Sequence, residues 1–312
     1  MRIRAGGAAD LVALVAVWGG LLLLFGELGP GFLSAATLGS VANRIPALLL
    51  CATGMTLLMV TGGIDLSVGS LLGFCGAMVG VAMVDWGWGL AGAIALSIAL
   101  GLAVGGVNGL VSVKLCLSSF IVTLGMLEVA RGLAFLATHS QTKYIGAAVE
   151  GVGAPIAGWI VSLAFLVALA IVAAGQALLS TTVLGRHLVA VGANPEAAAI
   201  AGVPVDPPRL WAHALVGGLT GLAAVFNCSR LGSADPNAGA GFELSVIAAV
   251  VVGGTSLLGG RGSVAKSCLG VLIVATLEAG LVQLGASEPA KRVVTGLVIV
   301  VAVLADSWRR RR

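Results

Sequence analysis

The segment TGGIDLSVGS, residues 61–70, lies between two long apolar runs and interrupts what would otherwise read as continuous membrane helix. Gly62 and Gly63 tolerate backbone angles that other residues avoid. Asp65 and Ser67 are residue types that start a helix by accepting backbone N–H bonds. The segment therefore predicts one helix that ends near the glycines and a second that begins shortly after the aspartate.

Two interpretations of this break are open from the sequence. In one, Asp65 caps a helix at the membrane surface and has no further role. In the other, the break lines a permeation path, because irregular backbone at membrane depth survives only where it faces protein or a water-filled cavity. The path would then be lined by small and neutral polar residues, namely Gly62, Gly63, Asp65, Ser67, Gly69, Asn108 and Asn227. The two asparagines are weaker candidates, because a lone asparagine in a span more often forms an interhelical hydrogen bond.

The composition identifies lipid as the solvent of most of the chain. Of the 312 residues, 59% are hydrophobic and 10% are charged, whereas an average soluble domain has about 25% charged residues. Apolar stretches near the length needed to cross a bilayer recur along the sequence, and the 47 glycines suit close helix packing in lipid. We therefore predict an all-α, polytopic transmembrane bundle that forms a single domain over residues 1–312.

The apolar stretches predict about ten membrane spans. They lie at residues 11–25, 46–60, 66–84, 88–113, 120–137, 156–179, 211–227, 244–252, 264–284 and 293–305. The eighth is too short to cross as a plain helix. The spans next to Gly62 and Gly253 are candidates for broken or re-entrant segments.

The distribution of positive charge predicts the orientation, because Lys and Arg are retained on the cytoplasmic side. With the N-terminus inside, most of the 17 Lys and Arg residues lie inside, among them Arg2, Arg4 and the run 309–312. We therefore expect both termini to be cytoplasmic, with the connection 138–155 outside and the connection 180–208 inside. The net charge of +4 does not indicate a nucleic-acid partner, because the sequence has no soluble basic face with interleaved aromatic residues.

A second informative segment, GRHLVAVGANPEAAAIAGVPVDPP at residues 185–208, predicts a short helix, a turn and another short helix. Asn194 is a good helix start, Pro195 suits the first turn, and Glu196 complements the positive end of the helix dipole. Gly202 and the prolines after it end the second helix. Because the exposed residues are mostly alanine, the helix forms a small, smooth knob for a soluble partner to hold. An ordinary connector is the alternative interpretation.

A third segment, VVGGTSLLGGRGSV at residues 251–264, is rich in glycine but does not match a phosphate-binding loop, which needs Gly-Lys-Ser/Thr after a soluble strand. We interpret it as a cytoplasmic turn between two membrane segments. The turn would depend on four glycines, Gly253, Gly254, Gly259 and Gly260.

No set of side chains predicts catalysis or metal binding. The three histidines, His139, His187 and His213, lie apart from one another and from paired carboxylates, so an enzyme acting on lipid ranks last among the functions considered. The five cysteines lie scattered through apolar stretches without metal-ligand spacing, and we expect them to be buried packing residues. Glu128 and Arg131 are three residues apart on a predicted helix, where an ion pair would lower the cost of burying either charge.

Four motifs together resemble the membrane subunits of ribose-type ABC importers, a family that also serves xylose, galactose and related solutes. The motifs are TGGIDLSVGS, the stretch 185–202, GAGFEL at 239–244 and IAAVVVGGTSLLGGRGSV at 247–264. The resemblance extends from about Pro46 to Asp306. This chain departs from the pattern at Glu278, where the family more often has a neutral amide.

The resemblance implies a bacterial cytoplasmic-membrane assembly that works by alternating access. Its parts would be two permease subunits, identical or paralogous, a cytoplasmic ABC ATPase that holds ATP and Mg, and an extracytoplasmic solute-binding protein. This chain would hold no cofactor and would not be an enzyme. By the same likeness, the coupling helix that sits in a groove of the ATPase corresponds to Gly192, Asn194, Glu196, Ala197, Ala198 and Gly202.

The alternative from another class is a secondary transporter driven by a proton or sodium gradient. Intramembrane carboxylates mark ion pathways, and Asp65, Glu128 and Glu278 are the candidates for the titrating group.

Overall fold

The computed structural model of the chain describes residues 6–311, so Arg2, Arg4 and Arg312 lie outside the described residues. The fold is built from helices, with one short antiparallel pair of strands, β1 (Lys143–Tyr144) and β2 (Ser233–Ala234). The helices are α1 (Gly6–Leu28), α2 (Ala35–Arg44), α3 (Pro46–Val60), α4 (Val68–Gly80), α5 (Leu90–Lys114), α6 (Ser119–Thr138), α7 (Ala147–Gly153), α8 (Leu163–Thr181), α9 (Val183–Ala193), α10 (Pro195–Ile200), α11 (Asp206–Leu231), α12 (Phe242–Val252), α13 (Val264–Gln283) and α14 (Glu288–Arg311). The predicted all-α, polytopic class is confirmed.

A π-helical segment, Val81–Asp85, continues α4. With this segment counted as part of α4, seven helices in the described part of the chain are long and apolar enough to cross a membrane, and the α2–α3 pair, bent by 46°, makes an eighth candidate. Each of the predicted apolar stretches contains a helix, although the helix of the stretch 156–179 begins only at Leu163. However, α12 has only 11 residues, as its short apolar run predicted, and α14 is not among the candidates. The number of actual crossings therefore stays a prediction.

Helix α3 is the centre of the bundle. All of its 15 residues are buried, because its sequence has no polar face and can be apolar on every side only inside protein or lipid. It contacts α11, α8, α13 and α12. Pro46 occupies the first turn, where a missing N–H removes no helical hydrogen bond.

The closest helix pair is α5 with α11, and it is packed through glycine. A methyl group on Gly101 or Gly217 would collide with the carbonyl of the other residue, and one on Gly105 would collide with the His213 carbonyl. Ser97 Oγ adds a hydrogen bond of 2.7 Å to the Gly221 carbonyl. Small residues thus let the two backbones touch, as expected for association within lipid.

The bundle has two ends, which we call the α10 side and the β1 side. The α10 side carries α9, α10 and the loop 253–262, and the β1 side carries the strands and α7. The 26-residue helix α11 joins the two ends, since a helix of that length spans about 39 Å. An ion pair lies near each end: Lys114 Nζ is 3.4 Å from Asp206 Oδ2 on the α10 side, and Lys143 Nζ is 2.8 Å from Asp85 Oδ2 on the β1 side.

Two predictions about individual residues need correction. The Arg131 guanidinium donates hydrogen bonds to the carbonyls of Pro236 and Ala238, at 3.1 and 2.9 Å, and no ion pair joins it to Glu128 within residues 6–311. The main-chain carbonyls therefore satisfy the arginine that we expected the carboxylate to satisfy.

The cysteines are not all buried. Cys51, Cys75 and Cys228 are buried as predicted and Cys268 is half-buried, but Cys116 is exposed. It has a positive φ of 53° and lies in the turn that follows α5, where the chain leaves the packed core.

Candidate functional site

The predicted break in the first motif is present between α3 and α4. Helix α3 ends at Val60, and α4 begins at Val68, close to the predicted restart. Gly62 has a φ of +85°, a conformation that a residue with a side chain rarely adopts. The sequence therefore identifies both the position and the cause of the break.

The polar residues of the break are buried inside the bundle. Asp65 and Ser67 are fully buried, and Asp65 Oδ1 accepts hydrogen bonds from Ser67 N at 2.8 Å and Ser67 Oγ at 2.6 Å. Asn108 of α5, also fully buried, donates from Nδ2 to Asp65 Oδ2 at 3.3 Å and to Ser67 Oγ at 3.1 Å. Asp65 thus lies in the interior, and Asn108 ties α5 to the break.

Helix α6 satisfies the backbone groups that the break exposes. Ile64 N donates to Ser119 Oγ at 3.1 Å, and Leu66 N donates to Thr123 Oγ1 at 3.0 Å. A buried backbone N–H without a partner is strongly unfavourable, so these two hydroxyl groups allow non-helical chain within the bundle.

His213 of α11 is part of the same site, although the sequence did not predict it as a site residue. The side chain is 2% exposed and interacts electrostatically with Asp65. A Cβ atom at Gly63 would lie 3.6 Å from its Nε2 atom. His213 therefore lies beside a single carboxylate, Asp65, rather than beside the paired carboxylates that an enzyme site would need. Helix packing brings the two together from distant parts of the chain, and no local pattern shows it.

A polar cavity of about 420 Å³ opens on the α10 side and reaches the break. Its lining includes Thr61, Gly63, Ser112, Ser119, Asp206 and His213. Ser112 Oγ and His213 Nδ1 are buried and have no hydrogen-bond partner among the described residues. Two residues of the cavity wall therefore hold buried polar atoms that have no partner among the described residues.

The second motif forms the predicted helix, turn and helix, as α9 and α10. Asn194 Oδ1 accepts a hydrogen bond of 2.9 Å from Ala197 N, and Gly202, with a φ of +77°, follows the end of α10. Ala198 is buried, whereas Ile200 is 90% exposed. The knob is thus less smooth than its alanines predict, because an isoleucine projects from it.

Three motifs that are separate in the sequence meet in one backbone contact, which we call the glycine junction: Gly62, Gly192, Gly259 and Gly260. Gly260 N donates to the Val60 carbonyl at 2.9 Å. A methyl group on Gly192 would collide with the same carbonyl, and one on Gly259 would lie 2.8 Å from both Gly192 O and Gly62 N. Since backbone atoms form the contact, α9, the break and the loop 253–262 have no side-chain layer between them that could deform.

The other two glycines of the third motif have a different position. A methyl group on Gly253 would lie 2.6 Å from Ser267 Cα, and Gly254 has a φ of +85°. They form the corner between α12 and α13 and are not part of the junction. Nearby, Lys266 Nζ lies 3.0 Å from Asp10 Oδ2, which links α13 to α1.

The two remaining path candidates lie towards the β1 side. A methyl group on Gly69 would collide with the Glu243 carboxylate, so α4 packs tightly against the start of α12. Asn227 is half-buried and lines a cavity of about 170 Å³ together with Glu278. Of the predicted path residues, Asn227 therefore lines this second cavity and Gly69 lies in the contact between α4 and α12, whereas the others lie at the break.

A broken, buried helix with a cavity on each side, within a bundle of apolar helices, defines a membrane transport protein. The chain belongs to the family described as the permease component of the branched-chain amino acid transport system, whose profile matches residues 37–303.

Individual relatives are similar over nearly the full length. The chain is 36% identical to the ribose import permease protein of Escherichia coli (strain K12), over 96% of this chain and 94% of that protein. It is 38% identical to the ribose import permease protein of Bacillus subtilis (strain 168), over 92% and 89%. It is 32% identical to the L-arabinose ABC transporter permease protein of Azospirillum brasilense, over 98% and 91%. No solved structure matches the chain.

The predicted resemblance to membrane subunits of ribose-type ABC importers is thus confirmed, and the chain is a transport component of that family. The relatives support this function over the ion-gradient transporter. The three carboxylates proposed for that alternative are also dispersed: Asp65 is buried in the break, Glu128 is exposed on α6, and Glu278 lines the β1-side cavity.

Proposed function

We propose that this chain moves a sugar or related small polar solute into the cytoplasm by alternating access, driven by a partner ABC ATPase. The solute class comes from the relatives, whose names give ribose and L-arabinose. The observation that carries the mechanism is the glycine junction, because it joins α9, the helix directly before the exposed helix α10, to the broken helix at the centre of the bundle.

In this mechanism α10 is the coupling helix. The partner ATPase holds ATP and Mg, and its movement displaces α10 through the exposed residues Glu196, Ala197 and Ile200. The junction transmits the displacement to Gly62. No flexible side chain absorbs the movement, because the contact is formed by densely packed backbone, which resists compression. The break then changes the angle between α3 and α4, so that the cavities on the two sides open alternately.

The membrane arrangement follows from the charges. We place the α10 side in the cytoplasm, since most Lys and Arg residues are expected there, and both termini on the same side of a bacterial inner membrane. The solute-binding protein would dock on the β1 side, at the connection 138–155. In this arrangement α3, α12 and α14 enter or cross the bilayer, which gives the predicted number of about ten segments.

Helix α6 supplies a surface for a second permease subunit. Glu128 lies halfway along this helix and is exposed, and a charged residue at the centre of a lipid-facing span costs about 2.5–3.5 kcal/mol. Gly125 and Gly132 lie on the same exposed side and meet no atom within 4 Å. We expect a second permease copy to cover this face and remove Glu128 from lipid.

The proposed function is tested in vesicles that contain the permease, the ATPase and the binding protein. We expect solute uptake only when ATP is present on the ATPase side. Uptake that a pH or sodium gradient drives in vesicles without the ATPase would contradict the proposal and favour the secondary transporter.

A further inference from the structure

The β1 side has two adjoining cavities, of about 370 and 170 Å³. They share four residues of their walls: Arg44, Phe242, Ser245 and Glu278. The larger one falls in the range of small-molecule sites, about 300–1,000 Å³. On the proposed topology, both face the compartment from which the solute arrives.

Two exposed arginines line the smaller cavity, whose wall also contains the carboxylate of Glu278. Arg44 and Arg230 both line it and lie close enough for their like charges to repel. Neither forms an ion pair in the part of the chain that the structure describes. The side chain of Arg230 donates one long hydrogen bond, 3.4 Å to Asn227 Oδ1.

Lys114, Lys143 and Lys266 each form an ion pair with an aspartate, whereas Arg186, Arg209 and Arg261, like Arg44 and Arg230, form none among the described residues. Two charged groups also line the β1-side cavities, Glu278 and Lys291, but neither is a free charge. The two guanidinium groups are therefore the charges of the cavity wall for which the described residues show no ion pair.

The local helices explain how these charges persist. Arg44 lies in the last turn of α2 and Arg230 in the last turn of α11, where the negative end of the helix dipole stabilises a cation. Both arginine side chains are exposed, and apart from the Arg230 bond to Asn227 their guanidinium groups donate no side-chain hydrogen bond among the described residues. Guanidinium groups in that state match the geometry of a carboxylate, which they bind through paired N–H groups.

We propose that the β1-side cavity binds an acidic sugar, meaning a carbohydrate that carries a carboxylate, and that Arg44 and Arg230 bind this carboxylate. Asn227 and Ser245 supply hydrogen-bonding groups for the hydroxyls, and Phe242 supplies an apolar surface for the ring. The permease itself then favours acidic over neutral sugars, because charge complementarity discriminates between otherwise similar ligands. This inference rests on the proposed function and narrows its solute class.

The test compares two pairs of sugars that differ only by the carboxylate: D-galacturonate with D-galactose, and D-glucuronate with D-glucose. Binding of each radiolabelled sugar is measured on the permease–ATPase complex in nanodiscs of phosphatidylcholine. We expect the acid of at least one pair to bind about tenfold more tightly than its neutral partner. Equal affinity within both pairs would overturn the proposal.

Variants assign the binding to the arginines. Arg44→Gln and Arg230→Gln should each weaken acid binding about tenfold, and Arg44→Lys should weaken it less because it keeps the charge. The matched control Lys114→Gln removes a cation of the α10 side and should leave binding unchanged. Unchanged binding in both glutamine variants would refute the assignment, and the lysine variant keeps the test valid if a glutamine variant does not fold.

An anionic lipid headgroup offers the same chemistry as a sugar carboxylate, so the measurement is repeated with phosphatidylglycerol in the nanodisc. Acid binding that persists supports a solute site, whereas loss of binding would reassign the arginines to lipid and overturn the proposal. The two proposals also fail separately. ATP-driven uptake of neutral sugars without acid binding refutes only this inference, and acid binding without ATP-driven uptake refutes only the proposed function.

Discussion

At the scale of single residues, Asp65 decides whether the break can exist inside the bundle. Its two oxygen atoms accept hydrogen bonds from Ser67 and Asn108, so the carboxylate connects the irregular chain to α5. The sequence predicts that Asp65 lies where a helix starts again, because Asp and Ser next to glycines are typical of a helix start. It does not predict His213, since only tertiary packing places that ring beside the break.

Asp65→Ala is expected to destabilise the folded protein. The substitution leaves the Ser67 and Asn108 donors buried without their acceptor, and an unsatisfied buried group costs about 1–3 kcal/mol. The measurement is the thermal unfolding midpoint of the purified permease in detergent. Asp65→Asn keeps one acceptor oxygen and should have a smaller effect. An Asp65→Ala protein as stable as the native one would show that these hydrogen bonds contribute little.

At the scale of elements, the length of each apolar run predicts a helix, and the glycines mark positions where helices pack closely. The apolar run 46–60 predicts α3 with its observed bounds, and the short run 244–252 predicts that α12 is too short for an ordinary span. Helices α2 and α7 were not predicted, because their sequences are short and of mixed polarity. The segment that each glycine contacts could not be predicted either, because no pattern in the sequence indicates that α9 contacts the break.

The glycines of α5 provide a matched pair that tests the contact with α11. Gly105→Ala would place a methyl group against the His213 carbonyl, whereas Gly106→Ala meets no atom within 4 Å. We expect Gly105→Ala to lower the free energy of unfolding by about 1–3 kcal/mol, as overpacking does, and Gly106→Ala to change it little. Unfolding midpoints of both variants give the comparison. Equal midpoints would mean that α5 and α11 do not pack as closely as described.

At the scale of the whole molecule, the chain has a cavity on each side of one broken helix, and residues from distant segments line these cavities. Composition and charge were sufficient to predict a membrane bundle and to suggest its orientation. They were not sufficient to predict the cavities, because Arg44, Asn227 and Glu278 come from three different elements and meet only through the packing of α11 and α13 around α3.

The proposed second subunit leads to a cross-linking prediction at this scale. In a Cys116→Ser background, which removes the exposed native thiol, Gly132→Cys should cross-link two permease copies in the membrane through a bifunctional thiol reagent. Leu102→Cys, exposed on α5, serves as the control and should give less dimer. If the control cross-links as strongly as Gly132→Cys, the α6 face is not the contact between subunits.

The central claim is that α10 transmits the movement of the ATPase to the broken helix, and the ratio of solute imported to ATP hydrolysed tests it most directly. We expect the double variant Glu196→Arg, Ala197→Arg to fold and to allow ATP hydrolysis by the complex while this ratio falls at least about tenfold, because bulky cations prevent the knob from seating in its partner. Thr181→Arg, an exposed change on the same side outside α9 and α10, should keep the native ratio. A native ratio in the double variant would contradict the account.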